Sequence, residues 1–202
     1  MKVATTGVVT EVKAATFCPD FWPYIATEME FYNGDVWVNV SSQIRAVNST
    51  TGLFTDYPGG NPNVEAGAVQ RNGDLYFSGS DSIWKFVPGT GAVTMWATPG
   101  IAVYALEYDA VNDLIWARDS SFNLRKYGGS TGVFLGSINA SPGGYQFAIE
   151  PSGAFAYQIS GSDIERVNLT SGVRTTILTG VVSNFGSNDL VFGPSSTGGT
   201  WS

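Results

Sequence analysis

A small hydroxyl residue followed by glycine recurs along this chain at nearly constant spacing, and nothing else in the sequence limits the fold as strongly. The copies are Thr6-Gly7, Thr51-Gly52, Thr90-Gly91, Thr131-Gly132 and Ser171-Gly172, with glycines 45, 39, 41 and 40 residues apart. A second turn recurs out of phase with the first. It is Asn33-Gly34-Asp35, Asn72-Gly73-Asp74, Asn112-Asp113 and Ser152-Gly153, at spacings of 39, 40 and 40 residues. Two independent markers keeping one period are the signature of a repeat architecture.

The turns separate short apolar runs. After the Asn-Gly turn come Val36-Trp37-Val38, Leu75-Tyr76-Phe77, Leu114-Ile115-Trp116 and Ala154-Phe155-Ala156-Tyr157. Such β-branched and aromatic runs, closed by turns that favour positive φ, read as hairpin strands. A polar turn follows, then Ile44-Arg45-Ala46-Val47, Ile83-Trp84-Lys85-Phe86, Leu124-Arg125-Lys126-Tyr127 and Ile164-Glu165-Arg166-Val167. The last residue of each run lies five positions before the turn glycine, and a fourth strand follows that glycine. No useful helical period is present. Four strands in about forty residues fit one blade of a β-propeller.

The fold expected is therefore all-β: a five-bladed β-propeller with four-stranded antiparallel blades, forming a single domain over residues 1–202. The segment from Asp189 reads as the first two strands of a blade, and Lys2 to Thr10 as the last two. A 2+2 blade built from both termini is expected to close the ring. A two-sheet sandwich is the alternative, but it has no need of an in-phase period.

An apolar residue, any residue, Lys or Arg, then Phe, Tyr or Val, a few small residues and Thr-Gly: this run resembles the NHL, SMP-30 and quinoprotein-type propeller repeats. The resemblance is one of repeats and covers the chain in pieces. It implies the propeller fold. The enzymes among those families place metal-binding carboxylates and Asn, or a catalytic His, at the ring centre. This chain has no His, so a His-dependent lyase is not implied.

Charge and composition exclude several classes. With 10 basic and 17 acidic residues the formal charge is −7, which speaks against nucleic-acid or anionic-membrane partners. One cysteine, Cys18, allows no internal disulfide and reads as a small buried hydrophobe. The start of the chain does not read as a signal peptide, and no run approaches eighteen apolar residues; a soluble protein made in the cytoplasm is expected. Glu28, Glu30, Glu65, Glu107, Asp109, Glu150 and Asp189 stand at different phases of their strands and do not form an obvious ring. No metal, no cofactor and no catalytic residue is expected. Four Asn-x-Ser/Thr sequences, beginning at Asn39, Asn48, Asn139 and Asn168, read as strand and turn residues.

The blade-to-blade links stand out. Each carries an aromatic and four of the five carry Pro. In a propeller all of them emerge on one face, together with the hairpins between second and third strands. The candidate contact residues are Phe21, Trp22, Tyr57, Asn61, Asn63, Tyr104 and Tyr145, with Trp22 foremost. Most link aromatics are expected to pack between blades; the rest would form a rim of stacking groups. The function expected is non-catalytic: a structural docking protein in a larger assembly. Its sharper form is a bacteriophage virion component, a head-decoration, neck or baseplate protein contacting capsid or tail proteins. A lectin-like glycan binder is the first alternative, a hydrolase or lyase the second.

Overall fold

The computed structural model describes residues 2–3, 9–10, 30–40, 43–58, 68–79 and 81–180. Every regular element among them is a β-strand. β1 (Lys2–Val3) and β2 (Val9–Thr10) form an antiparallel pair. The rest make four four-stranded antiparallel sheets, each from consecutive strands. Sheet I holds β3 (Glu30–Tyr32), β4 (Asp35–Val40), β5 (Gln43–Asn48) and β6 (Phe54–Pro58). Sheet II holds β7 (Ala68–Arg71), β8 (Asp74–Ser78), β9 (Ile83–Val87) and β10 (Ala92–Ala97). Sheet III holds β11 (Val103–Asp109), β12 (Leu114–Asp119), β13 (Asn123–Gly128) and β14 (Phe134–Asn139). Sheet IV holds β15 (Phe147–Ile149), β16 (Phe155–Ser160), β17 (Asp163–Asn168) and β18 (Arg174–Leu178). First strands of successive sheets lie against one another, β3 on β7, β7 on β11 and β11 on β15. The architecture is propeller-like, with first strands innermost and fourth strands outermost.

The core lies between sheets, in three clusters of one kind. Trp37, Ile44 and Ala46 of sheet I meet Ala68, Leu75, Phe77 and Phe86 of sheet II. Val69, Tyr76, Ile83 and Ala97 of sheet II meet Val103, Leu106, Ile115, Ala117 and Tyr127 of sheet III. Ala105, Trp116, Leu124 and Ala140 of sheet III meet Phe147, Ala156, Val167 and Leu169. Successive side chains of a strand point to opposite faces, so Leu75 and Phe77 serve one interface and Tyr76 the other. Each second strand thus sends a large aromatic forward: Trp37, Tyr76, Trp116, and Tyr157 in sheet IV.

The two turn markers have physical reasons. Asn33, Asn72 and Asp113 take φ of 55°, 50° and 51° in the first hairpins, a region open to Asn and Asp and costly for most residues. In the turn before each fourth strand, Asn48 Oδ1 accepts the amides of Thr50 and Thr51 at 3.1 and 2.9 Å, and Asn168 Oδ1 those of Thr170 and Ser171 at 2.9 and 2.8 Å. Two of the four Asn-x-Ser/Thr sequences are thereby turn caps. The glycine that follows sits at φ near +70° and docks on the fourth strand of the preceding sheet. A Cβ on Gly91 would come 3.3 Å from the Tyr57 ring, one on Gly132 would collide with the Trp96 carbonyl oxygen, and one on Gly172 would touch Ile138 at 3.7 Å. The repeated glycine is therefore an inter-blade contact as well as a turn residue.

First strands end on the next sheet in the same way. A Cβ on Gly73 would lie 2.9 Å from Tyr32 Oη, and one on Gly153 would lie 2.6 Å from Asp109 Oδ1. Arg71 Nε meets Asp113 Oδ1 at 2.6 Å. This hydrogen bond from Arg71, more than the charge itself, holds the Asp113 carboxyl below its usual range.

Two outcomes are expected. Gly161 has the same left-handed backbone, φ 62°, but open space around it. Gly161→Ala should cost about 1 kcal/mol from the backbone alone, whereas Gly132→Ala should cost at least about 2 kcal/mol, since a backbone carbonyl must move. Urea unfolding of the two variants measures the difference. The second outcome tests ring closure. Ile177 occupies the place of Tyr57 and Trp96, five residues after a turn glycine, and is 43% exposed. The glycine due to dock on it is Gly7, which lies outside the described residues. If the fifth blade closes the ring, Ile177→Asp should destabilise the protein by about 2 kcal/mol or more. A change within about 0.5 kcal/mol would make Ile177 an ordinary surface residue and refute closure at that position.

Candidate functional site

The site is built where the links run. The turns joining second to third strands and the links joining one sheet to the next lie at the same end of the sheets, the link end. The link from sheet II to III is held by the Gly100 amide donating to the Asp81 carbonyl and by Arg125 Nη1 donating to the Pro99 carbonyl at 2.9 Å. The link from sheet III to IV is held by the Gly144 amide on the Ile159 carbonyl at 2.5 Å and by Gln158 Nε2 on the Ala140 carbonyl at 2.9 Å.

Three aromatics meet at this end, one from a strand, one from a hairpin and one from a link. Tyr104 and Tyr145 stand edge to face with ring centroids 4.8 Å apart, and Phe122 lies 5.6 Å from Tyr145. Two backbone irregularities bring them there. The β11–β12 pairing slips between Val103 and Ala105, so Tyr104 falls at a bulge, a device that re-aims a side chain. Phe122 has φ 63°, a conformation rarely held by a bulky residue and found mainly where surroundings impose it. Its amide donates to the Asp119 carbonyl at 2.9 Å, and its carbonyl accepts Arg118 Nη1 at 3.0 Å. Tyr145 remains 56% exposed.

Under the aromatics lies a buried polar network. Arg118 is fully buried; Nη2 donates to Gln158 Oε1 at 2.6 Å, the guanidinium lies 5.4 Å from the Phe147 ring, and Nε has no partner. Burial pulls its pKa down to about 10, against the opposing pull of Asp119. For Asp119 burial acts to raise the pKa, but bonds from Arg125 and Asn123 prevail and hold it low. Gln158 Nε2 also donates to Glu165 Oε2 at 3.0 Å. Beside Tyr145, Gln146 is 93% buried by the complement of its 7% exposure, and its Oε1 has no hydrogen-bond partner. A buried acceptor without a donor costs about 1–3 kcal/mol, so natural structures rarely leave one unless something else supplies the donor.

The candidates read from sequence separate as follows. Tyr104 and Tyr145 are brought together. Tyr57 packs 5.7 Å from Trp37 and 5.1 Å from Phe86 and borders Gly91, so it fills the first interface. Phe21, Trp22, Asn61 and Asn63 lie outside the described residues. Sequence reasoning did not single out Phe122, Arg118, Gln146 or Gln158. A signal existed for two: by strand pairing Arg118 stands where other copies have Asn39, Ser78 and Ile159, and Phe122 interrupts a hairpin otherwise made of small polar residues.

The inner strands carry acids in alternation. Glu30 pairs opposite Trp37 and Glu107 opposite Trp116, one equivalent position, which Val69 and Ala148 fill in the other two sheets. Among the described residues no three His, Cys, Asp or Glu side chains group as metal ligands. Burial pushes Glu30 up to about 7, although the Gln70 amide donates to its carboxylate. Folding therefore favours its protonated form. The stability this gives is present below the ordinary value of 4.5 and is lost as pH rises through about 7. Glu30→Gln should accordingly raise the melting temperature at about pH 8 and change it little at about pH 5. Thermal melts of the two proteins at both values check it.

No protein-family profile matches the chain, and no curated protein matches it. Solved structures do. A protein of unknown function from Bacteroides thetaiotaomicron matches 78% of this chain at 14% identity with a TM-score of 0.58. A chain of the mitotic checkpoint complex matches 77% at 11% identity and 0.61. Kuenenia stuttgartiensis hydrazine synthase matches 72% at 13% identity and 0.60. The matched regions are 45%, 54% and 46% of those chains, so this chain spans about half the length of the structures it resembles. At such identities the likeness establishes the propeller-like fold. No helix among the described residues is long and apolar enough to cross a membrane.

Proposed function

We propose that the chain is a non-catalytic docking protein of a larger assembly, binding a protein partner at the link end. The observation that carries this reading is the aromatic cluster. Tyr104 comes from the start of β11, Tyr145 from the link between sheets III and IV and Phe122 from a hairpin, and the most exposed of the three, Tyr145, is backed by the other two. A rigidly supported, exposed aromatic is the usual anchor of a protein interface, worth about 2 kcal/mol or more when buried by a partner. The absence of His from the sequence and the alternation of acids with apolar residues on inner strands support a non-catalytic role. One structural neighbour is a component of a multi-protein complex, which fits the same reading by fold analogy.

The sharper form is a bacteriophage virion component, a head-decoration, neck or baseplate protein meeting capsid or tail proteins. Its support is compositional: a chain rich in Gly, Ser, Thr and aromatics with few lysines. The lectin-like alternative has one observation in its favour, the side-chain amide of Gln146 next to the exposed Tyr145.

A photo-crosslinking residue at position 145 tests the docking reading in the native source. The control position is Val133, an exposed residue in the turn before β14, at the opposite end of the sheets. Position 145 should capture a defined protein partner and position 133 should not. Capture from both, or from neither, defeats docking through the link end.

A further inference from the structure

We propose that Tyr145, backed by Tyr104 and Phe122 and flanked by Gln146, is a receptor for an arginine side chain on the partner polypeptide. The inference rests on the docking reading and names what docks.

Chemistry on three sides points to a guanidinium. The first is the ring. Four arginines of this chain already lie over aromatic faces: Arg45 over Phe54 at 4.2 Å, Arg166 over Phe155 at 4.4 Å, Arg118 over Phe147 at 5.4 Å and Arg125 over Phe134 at 5.6 Å. Among the described residues no arginine lies over Tyr145, the exposed aromatic of the link end. The electron-rich face of an exposed tyrosine attracts a cation, and a planar guanidinium stacks on it better than an ammonium.

The second is the buried acceptor. Gln146 Oε1 accepts no donor within the chain, and Gln146 adjoins Tyr145. A guanidinium has five N–H donors and no acceptor, so an arginine over Tyr145 supplies the donor that Gln146 Oε1 lacks once the Gln146 amide turns outward, since that oxygen is itself buried. A carboxylate could satisfy neither need.

The third is charge. The arginines that reach the link end are committed: Arg125 to Asp119 and the Pro99 carbonyl, Arg174 to Glu165 and the Pro142 carbonyl, Arg118 to Phe122 and Gln158. The second-to-third-strand hairpins carry acids, Asp81 in sheet II and Asp163 in sheet IV, which accept bonds from Ser82, Ser162 and the Gly180 amide and from no cation among the described residues. With a formal charge of −7 the whole chain attracts a basic partner. The buried Arg118 opposes a second cation, but Asp119 stands beside it and none of its surface reaches solvent.

The test is a titration of the full-length isotope-labelled protein, followed by amide chemical shifts. The probes are acetyl-Gly-Arg-Gly-amide, its Glu counterpart, and maltose as a neutral sugar. The arginine peptide should shift the Gly144, Tyr145 and Gln146 amides at millimolar concentration, while the Glu peptide and maltose should not. Raising salt from about 0.05 to about 0.5 M should weaken the effect several-fold. Tyr145→Ala should abolish it while lowering the melting temperature by no more than roughly a few degrees, the loss expected from two ring contacts of a half-exposed side chain, and Tyr145→Trp should restore it. Equal shifts from the Glu peptide, shifts from maltose alone, or no shifts at all would overturn the proposal. If position 145 still crosslinks a protein partner in that case, docking stands and the arginine assignment alone falls.

Discussion

Each of the four sheets has two apolar faces and cannot cover either by itself. This single constraint organises the chain. An isolated four-stranded sheet of this kind would expose Leu75 and Phe77 on one side and Tyr76 on the other, all of which are essentially inaccessible in the fold. Burial is achieved only by stacking, so each repeat depends on its neighbours for stability. The forward-pointing aromatic, Trp37, Tyr76 or Trp116, is what one sheet lends the next. Because a large ring on one face must meet small or aliphatic residues on the other, Ala68, Ala117, Ala140 and Ala156 are as necessary as the aromatics they face.

Sheet stacking also fixes the ends. The turn glycines dock on the preceding fourth strand, and the first hairpins receive Tyr32, Arg71 and Asp109 from the preceding first strand. Each of the three described interfaces is thus pinned by specific contacts at both its inner and its outer strands, and rigid-body sliding of one sheet over another is resisted at two separated points. That rigidity is what permits an irregular backbone at the link end. A bulge at Tyr104 and a left-handed Phe122 are unfavourable locally, and they persist because the surrounding sheets leave no other arrangement.

The period was fully legible because it is carried by turn chemistry. Positive-φ residues must be Gly, Asn or Asp, so the sequence cannot disguise them. The strands were legible for a similar reason: in sheets I to IV the residue five places before the turn glycine, Val47, Phe86, Tyr127 or Val167, is buried. The site was only half legible. Tyr104 and Tyr145 could be placed on one face, yet their meeting depends on a bulge that no local pattern announces. Tyr57 and Tyr145 look alike in sequence, each an aromatic near Pro and Gly, and differ only in what lies opposite. Tyr57 faces Trp37 and Phe86, while Tyr145 faces solvent. Arg118 was missed because a long cation in a strand reads as surface, and only the tertiary fold shows that Gln158 and the Phe122 carbonyl receive it.

A buried arginine with an unpartnered Nε and a buried glutamine with an unpartnered Oε1 are both costs to folding. An apolar pair of similar volume would pack the same interface at lower cost. The network therefore makes little sense as a stabilising device. It makes better sense as support: Arg118 is the one group that binds the Phe122 carbonyl and sheet IV at once, so it ties the strained hairpin to the neighbouring link that carries Tyr145. The aromatic surface then inherits its geometry from two sheets, and its rings need not be reordered when a partner arrives. Preorganisation of this kind lowers the entropic cost of association, and it is a reason to accept a polar group in an otherwise apolar interface.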